Sequence, residues 1–168
     1  MNHIFDEFTT GLPNAEQIVR YIVRVLLALG LGAWLGRERE QRGKPAGQRT
    51  HMLVALGSAL FVLAAVESGA TDSDVTRVLQ GIVAGIGFLG GGAILKLTEE
   101  RAIHGLTTAA GIWLTAALGA AAGLGRWGMA IICAALAWLT LELMYHFEVR
   151  PPRKNQANAS DEPAAPGV

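Results

Sequence analysis

The chain has 168 residues, of which 51% are hydrophobic and only 17% charged, with a formal net charge of zero. A soluble domain averages about 25% charged residues, and a neutral chain offers no global basic field to a nucleic acid. One cysteine, Cys133, excludes a disulfide framework and a cysteine-based zinc site.

Residues 1–14 form a short N-terminal segment in which Ile4, Phe5, Phe8 and Leu12 interleave with Asp6 and Glu7. It reads as an amphipathic stretch at an interface. It has no basic start and no cleavage-like site after its first apolar run, so no signal peptide is expected. Asn14 with Gln17 three residues on has the pattern of a capping box, and a first helix is predicted over 15–36. Arg20 and Arg24 lie one turn apart on it. Arg20 can snorkel to the head groups. Arg24 sits deeper, where an unpaired charge is costly; it either snorkels too or faces the bundle and meets an acid or a water-filled cavity.

Residues 37–49, REREQRGKPAGQR, are the most charged stretch. Gly43, Pro45 and Gly47 break a helix, and the basic excess makes this loop cytoplasmic. A second helix is predicted over 50–66, with His51 at its cytoplasmic mouth. The loop 67–77 lacks a basic excess and goes outside, and Thr71, Asp72 or Ser73 can cap the next helix.

The stretch Val78–Leu95, VLQGIVAGIGFLGGGAIL, carries no charge and is long enough to cross a bilayer core. It holds Gly81, Gly85, Gly87, Gly90, Gly91 and Gly92. In water each interior glycine costs about 0.5–1 kcal/mol against alanine; in lipid the backbone must bond to itself, so the helix persists. Gly81/Gly85 and Gly87/Gly91 have the small-xxx-small spacing of membrane helix contacts, which makes this the expected central, packed helix. Gly85-Ile-Gly-Phe-Leu-Gly90 also matches G-x-G-x-x-G, but no strand precedes it and no βαβ pattern surrounds it, so dinucleotide binding is rejected.

The short charged stretch 96–105 returns to the cytoplasmic side. A fourth helix is predicted over 106–123, opening on Thr107 and Thr108 and carrying Gly119 and Gly123 as another small-xxx-small face. After a tight outer turn, a fifth runs over 127–147, with Trp127, Trp138, Tyr145 and Phe147 placed for interfacial aromatic belts. Cys133 lies in an apolar run on it and reads as a small core residue. Residues 148–168 read as a disordered cytoplasmic tail. The expected fold is all-α: a polytopic membrane domain over 15–147 with five transmembrane helices, the N-terminus outside and the C-terminus cytoplasmic.

Polar residues at membrane depth or at the inner mouth are few: Glu38, Arg49, Thr50, His51, Lys96, His104, Thr107, Thr108 and Glu142. The loop charges put them all toward the cytoplasmic side. They form either salt bridges and caps that lock loops to the bundle, or a polar vestibule for an ion, a lipid head group or a partner segment. Glu142 stands in an apolar run with His146 one turn on and Lys96 entering from the same side. It reads as a paired carboxylate, with a proton- or cation-responsive site as the alternative. Magnesium prefers carboxylate oxygens and retained waters, but Arg37 and Arg39 crowd Glu38 and Glu40, and Glu67, Asp72 and Asp74 stand on an outer loop. No strong metal site emerges, and no cofactor is expected. His51 and His104 have no Ser or Cys partner at a meaningful spacing, so no catalytic residue and no enzyme activity are expected.

Gly36-Arg-Glu-Arg-Glu40, Arg42-Gly-Lys-Pro-Ala-Gly47, Arg49-Thr-His51, Gly85-Ile-Gly-Phe-Leu-Gly90 and Gly105-Leu-Thr-Thr-Ala-Ala-Gly-Ile-Trp113 occur in this order. Over roughly residues 18–147 the chain resembles the MgtC/SapB family of bacterial membrane proteins. The resemblance implies a multi-pass inner-membrane protein of about five spans. It also implies regulators rather than pumps, tied to growth in low magnesium, survival inside macrophages, restraint of the F-type ATP synthase and, in other members, acid resistance. Members of the MgtC type carry a soluble C-terminal ACT-like domain where this chain has a short tail, which places it with the SapB-like branch. The functional residues implied at matched motif positions are Glu38, Arg49, Thr50, Gly85, Gly87, Gly90, Thr107 and Thr108.

The leading expectation is a non-enzymatic membrane regulator in magnesium homeostasis or acid stress. It would act by helix contact with its own copies or with another membrane protein such as the F-type ATP synthase. Glu38, Arg49, Thr50, Lys96, Thr107, Thr108 and Glu142 are its candidate polar cluster. Gly81, Gly85, Gly87, Gly90, Gly91, Gly119 and Gly123 are its candidate packing residues. The alternative is a small-solute or cation transporter or channel with Glu38, Arg49 and Thr107 at its inner mouth. A structural membrane subunit without a ligand is a third reading.

Overall fold

The computed structural model describes residues 13–95 and 105–147. The expectations placed on residues 1–12, on Lys96 and His104, and on the tail 148–168 lie outside the described residues. Among the described residues there are five α-helices and no strand: α1 (Ala15–Gln41), α2 (Gln48–Glu67), α3 (Asp72–Leu95), α4 (Leu106–Gly123) and α5 (Trp127–Phe147). All five are long and apolar enough to cross a membrane.

The helix starts follow their capping chemistry. Asn14 Oδ1 accepts from the Gln17 amide and Gln17 Oε1 accepts from the Asn14 amide, each at 2.8 Å, a complete capping box. At α3 the Thr71 hydroxyl accepts from the Asp74 amide at 3.4 Å while Asp74 Oδ2 accepts from the Thr71 amide at 3.2 Å. Helix α1 runs past Gly36 to Gln41, because Arg37 to Gln41 are all favourable helix residues. It stops only where Gly43 adopts φ +62° and the Lys44 amide closes onto the Arg39 carbonyl at 3.0 Å. At 27 residues it is about 40 Å long, more than the roughly 30 Å hydrocarbon core.

The central helix is α4 and not the glycine-rich α3. Helix α4 packs on all four of the others, whereas α3 touches only α2 and α4. Of the apolar span of α4, 56% is buried within the chain, against 6% for α3. The phase of the glycines explains the difference. In α4, Gly111, Thr115, Gly119 and Gly123 recur every fourth residue and form one stripe. A Cβ at Gly119 would lie 2.8 Å from the Ala55 Cα and one at Gly123 2.7 Å from the Ala59 carbonyl oxygen. In α1, Ala28, Gly32 and Gly36 repeat the spacing: a Cβ at Gly32 would lie 2.7 Å from the His51 carbonyl oxygen, and one at Gly36 2.6 Å from the Gln48 Cα. Helix α2 runs between these two small-residue stripes, with Ala55 and Ala59 fully buried. In α3 the glycines are spread around the helix. A Cβ at Gly81, Gly85, Gly87 or Gly91 would meet nothing within 4 Å, and Gly90 alone makes an ordinary contact, with Ala109.

Helix α5 closes the other side through Ala130 and Ala134, which join Leu31, Leu35, Leu118 and Ala121 in one buried cluster. Trp138 stacks on Trp34 of α1, with ring centroids 6.1 Å apart. Cys133 is exposed rather than in the core, because the buried stripe of α5 runs through Ala130 and Ala134. Arg24 faces the bundle but meets no acid among the described residues: its Nη1 donates to the Gly123 carbonyl at 2.9 Å, placing a cation on the negative end of the α4 dipole.

Candidate functional site

Two buried polar groups occupy one half of the bundle. The first lies where the end of α1, the start of α4 and the end of α5 converge, and Arg42 is its hub. Its Nε contacts Glu38 Oε1 at 2.5 Å and its Nη2 donates to Glu142 Oε2 at 2.6 Å. Its Nη1 reaches the Leu141 carbonyl at 3.4 Å, and its guanidinium carbon lies 4.0 Å from the centroid of the Tyr145 ring. Glu38 precedes Arg42 by one helical turn and is buried. Glu38, Arg42 and Tyr145, with Arg39, Lys44 and Thr107, line a cavity of about 360 Å³, and Glu142 stands beside it. Arg39 is only 2% exposed, and its one side-chain hydrogen-bond partner among the described residues is the Thr108 hydroxyl, which accepts from Nη2 at 3.4 Å.

The second group is deeper. His51 is fully buried between α1 and α4. Its Nδ1 lies 2.7 Å from Thr115 Oγ1, and the Thr115 hydroxyl donates to the Gly111 carbonyl at 2.8 Å. The Thr115 hydroxyl thus bridges the His51 imidazole and the Gly111 carbonyl. The glycines of both stripes make room for the ring: Gly36 lies against its Cβ, and a Cβ at Gly111 would touch Cε1 at 3.4 Å. Thr115→Val keeps the shape and removes the hydroxyl. It is expected to destabilise the bundle by about 1–3 kcal/mol, the cost of a buried polar group left unpaired. Thermal unfolding in a mild detergent measures this, and an unchanged midpoint would show that Thr115 does not hold the imidazole.

Of the expected polar cluster, Glu38, Thr107, Thr108 and Glu142 do come together here. Arg49 and Thr50 do not: both are on the first turn of α2, away from the cavity, and Thr50 is exposed. Lys96 lies outside the described residues. Arg39, Arg42 and Thr115 were not among the expected residues. Arg42 fell in a stretch expected to be loop, although Glu38 one turn before it is a legible helix pair. Gly32-x-x-x-Gly36 and Gly111-x-x-x-Thr115 were likewise readable as small-xxx-small pairs. Among the described residues no group of three His, Cys, Asp or Glu is placed to hold a metal ion, and Arg42 engages both Glu38, which lines the cavity, and Glu142.

The MgtC family model matches residues 25–150, which takes in most of α1 and all of α2 to α5. The chain belongs to the MgtC family. Among its MgtC-family relatives it is 46% identical to Protein SrpB of Synechococcus elongatus over 129 residues, 70% of this chain and 71% of that protein. It is 40% identical to the putative magnesium transporter YhiD of Escherichia coli K12 over 150 residues, 84% of this chain and 66% of that protein. It is 41% identical to Protein MgtC of Salmonella typhimurium over 111 residues, 66% of this chain and 46% of that protein. The match thus spans less than half the length of Salmonella MgtC. No solved structure matches the chain. Five apolar spans in an MgtC-family chain make this a bacterial membrane protein.

Proposed function

We propose that the chain is a non-enzymatic regulator of the bacterial inner membrane, acting in magnesium homeostasis or acid stress by helix contact with another membrane protein or with its own copies. Its N-terminus lies outside and its C-terminus in the cytoplasm, as the basic loop 37–49 directs. The observation that carries this reading is the unfilled glycine surface of α3. Among the described residues a Cβ at Gly81 or Gly85 would meet nothing within 4 Å, and the two glycines border an apolar groove of about 620 Å³ shared with Gly57, Phe61, Ile86 and Leu89. Bare backbone of this kind lets a second transmembrane helix approach closely. The F-type ATP synthase is one candidate partner.

The second reading is a cation transporter. The printed name of YhiD and the polar cavity favour it. Against it stands Arg42, which neutralises Glu38 and Glu142, the carboxylates a cation would need. Two assays on one preparation separate the readings. In proteoliposomes the purified protein is expected to pass neither magnesium nor protons. In mild-detergent extracts a defined membrane partner, or a second copy, is expected to co-purify and to be lost on Gly85→Leu, with the thermal midpoint unchanged. Flux that Glu38→Gln abolishes in a folded protein would overturn the regulatory reading.

A further inference from the structure

We propose that the cavity between α1, α4 and α5 is a binding site for a phosphate group, carried by an anionic lipid or free in solution. Its centre is Arg39. That guanidinium is 2% exposed, has no carboxylate within 4 Å among the described residues, and leaves its buried Nε without a hydrogen-bond partner. A buried cation in this state is expensive unless an anion reaches it. The neighbouring Arg42 is already engaged by Glu38 and Glu142. Lys44 lines the same cavity, makes no side-chain ion pair among the described residues and is exposed.

The fourth wall is the start of α4. Its N-cap is Gly105, at φ +92°, and no side chain caps the first turn. Among the described residues no side chain caps the amides of Leu106, Thr107 and Thr108 at the positive end of the helix dipole, and Thr107 lines the cavity. Arginine, lysine, hydroxyl and helix N-terminus together are a donor set that suits a tetrahedral oxyanion. The end of α1 carries Arg37, Glu38, Arg39 and Glu40 on a helix of 27 residues, longer than the roughly 30 Å hydrocarbon core requires, and basic pockets between helices near the head groups take anionic lipids.

The test uses the full chain in mild detergent, with the thermal midpoint as readout. One arm titrates inorganic phosphate against chloride at equal ionic strength. The other titrates phosphatidylglycerol against phosphatidylcholine. A saturable rise in at least one arm is expected. A rise with lipid alone assigns a head-group site; a rise with phosphate as well assigns a site that free phosphate can fill. Lys44→Gln, at an exposed position, is expected to fold normally and to weaken the apparent affinity by about tenfold. Arg39→Gln is expected to abolish the response. The proposal is overturned if neither arm responds in the unaltered protein, or if Lys44→Gln and a folded Arg39→Gln respond as it does. It is also overturned if Glu99→Gln with Glu100→Gln lowers the midpoint as much as Arg39→Gln and no probe shifts it, since a carboxylate of the chain itself would then be Arg39's partner.

Discussion

Gly119→Ala is expected to destabilise the bundle by about 3 kcal/mol, the upper end for an overpacked core. The added methyl would overlap the Ala55 carbonyl oxygen and sit 2.8 Å from the Ala55 Cα. Both are backbone atoms of α2 and cannot rotate away, so α2 and α4 must move apart. That separation would loosen the whole stripe, since Gly123 rests on Ala59 in the same register. Gly85→Ala is the matched control. Its methyl meets nothing within 4 Å, so its effect on the isolated chain should stay within about 0.5 kcal/mol. Thermal unfolding of the two variants side by side, in one detergent, makes the comparison. Equal midpoints would contradict the packing described for α4.

Arg42→Gln is expected to cost about 3 kcal/mol, in the range for breaking a buried ion pair from one side. The penalty arises at Glu38, which is 8% exposed and contacts Arg42 as its only ion-pair partner among the described residues. Glu142 is more open to solvent, so its share is smaller. The double variant Arg42→Gln with Glu38→Gln removes the stranded charge and should recover much of the loss. A double variant no more stable than the single one would mean that Arg42 acts through its packing on Tyr145 and Leu141 instead. Urea or thermal unfolding of the three variants provides the cycle.

The five helices were legible because their causes are local, although α3 begins at Asp72, inside the stretch 67–77 expected to be loop, where its Thr71 cap lies. Asn14 with Gln17 and Thr71 with Asp74 announce helix starts within four residues, and an uncharged run of sufficient length announces a span. Which helix is central was not legible from glycine content, because content does not reveal phase. Six glycines in Val78–Leu95 point in several directions, while Gly111, Thr115, Gly119 and Gly123 form one line that close packing can use. The site was half legible for a similar reason. Glu142 stands out as an acid in an apolar run, but Arg42, which pairs with it, is 100 residues away in the chain. His51 was visible as a polar residue near a helix start; its partner Thr115 became visible only once α2 and α4 were placed together.

The proposed regulatory role rests on the glycine surface of α3 being left open by the described residues of its own chain so that another helix can lie on it. A photoreactive amino acid placed at Gly85 in living cells probes this surface directly, with the same group at Ile132 on the exposed side of α5 as the reference. One discrete cross-linked species is expected from position 85, either a doubled chain or a defined membrane partner, and lipid adducts alone from position 132. Cross-linking from position 85 to helices of the same chain, or equal yields from both positions, would contradict an open docking surface on α3.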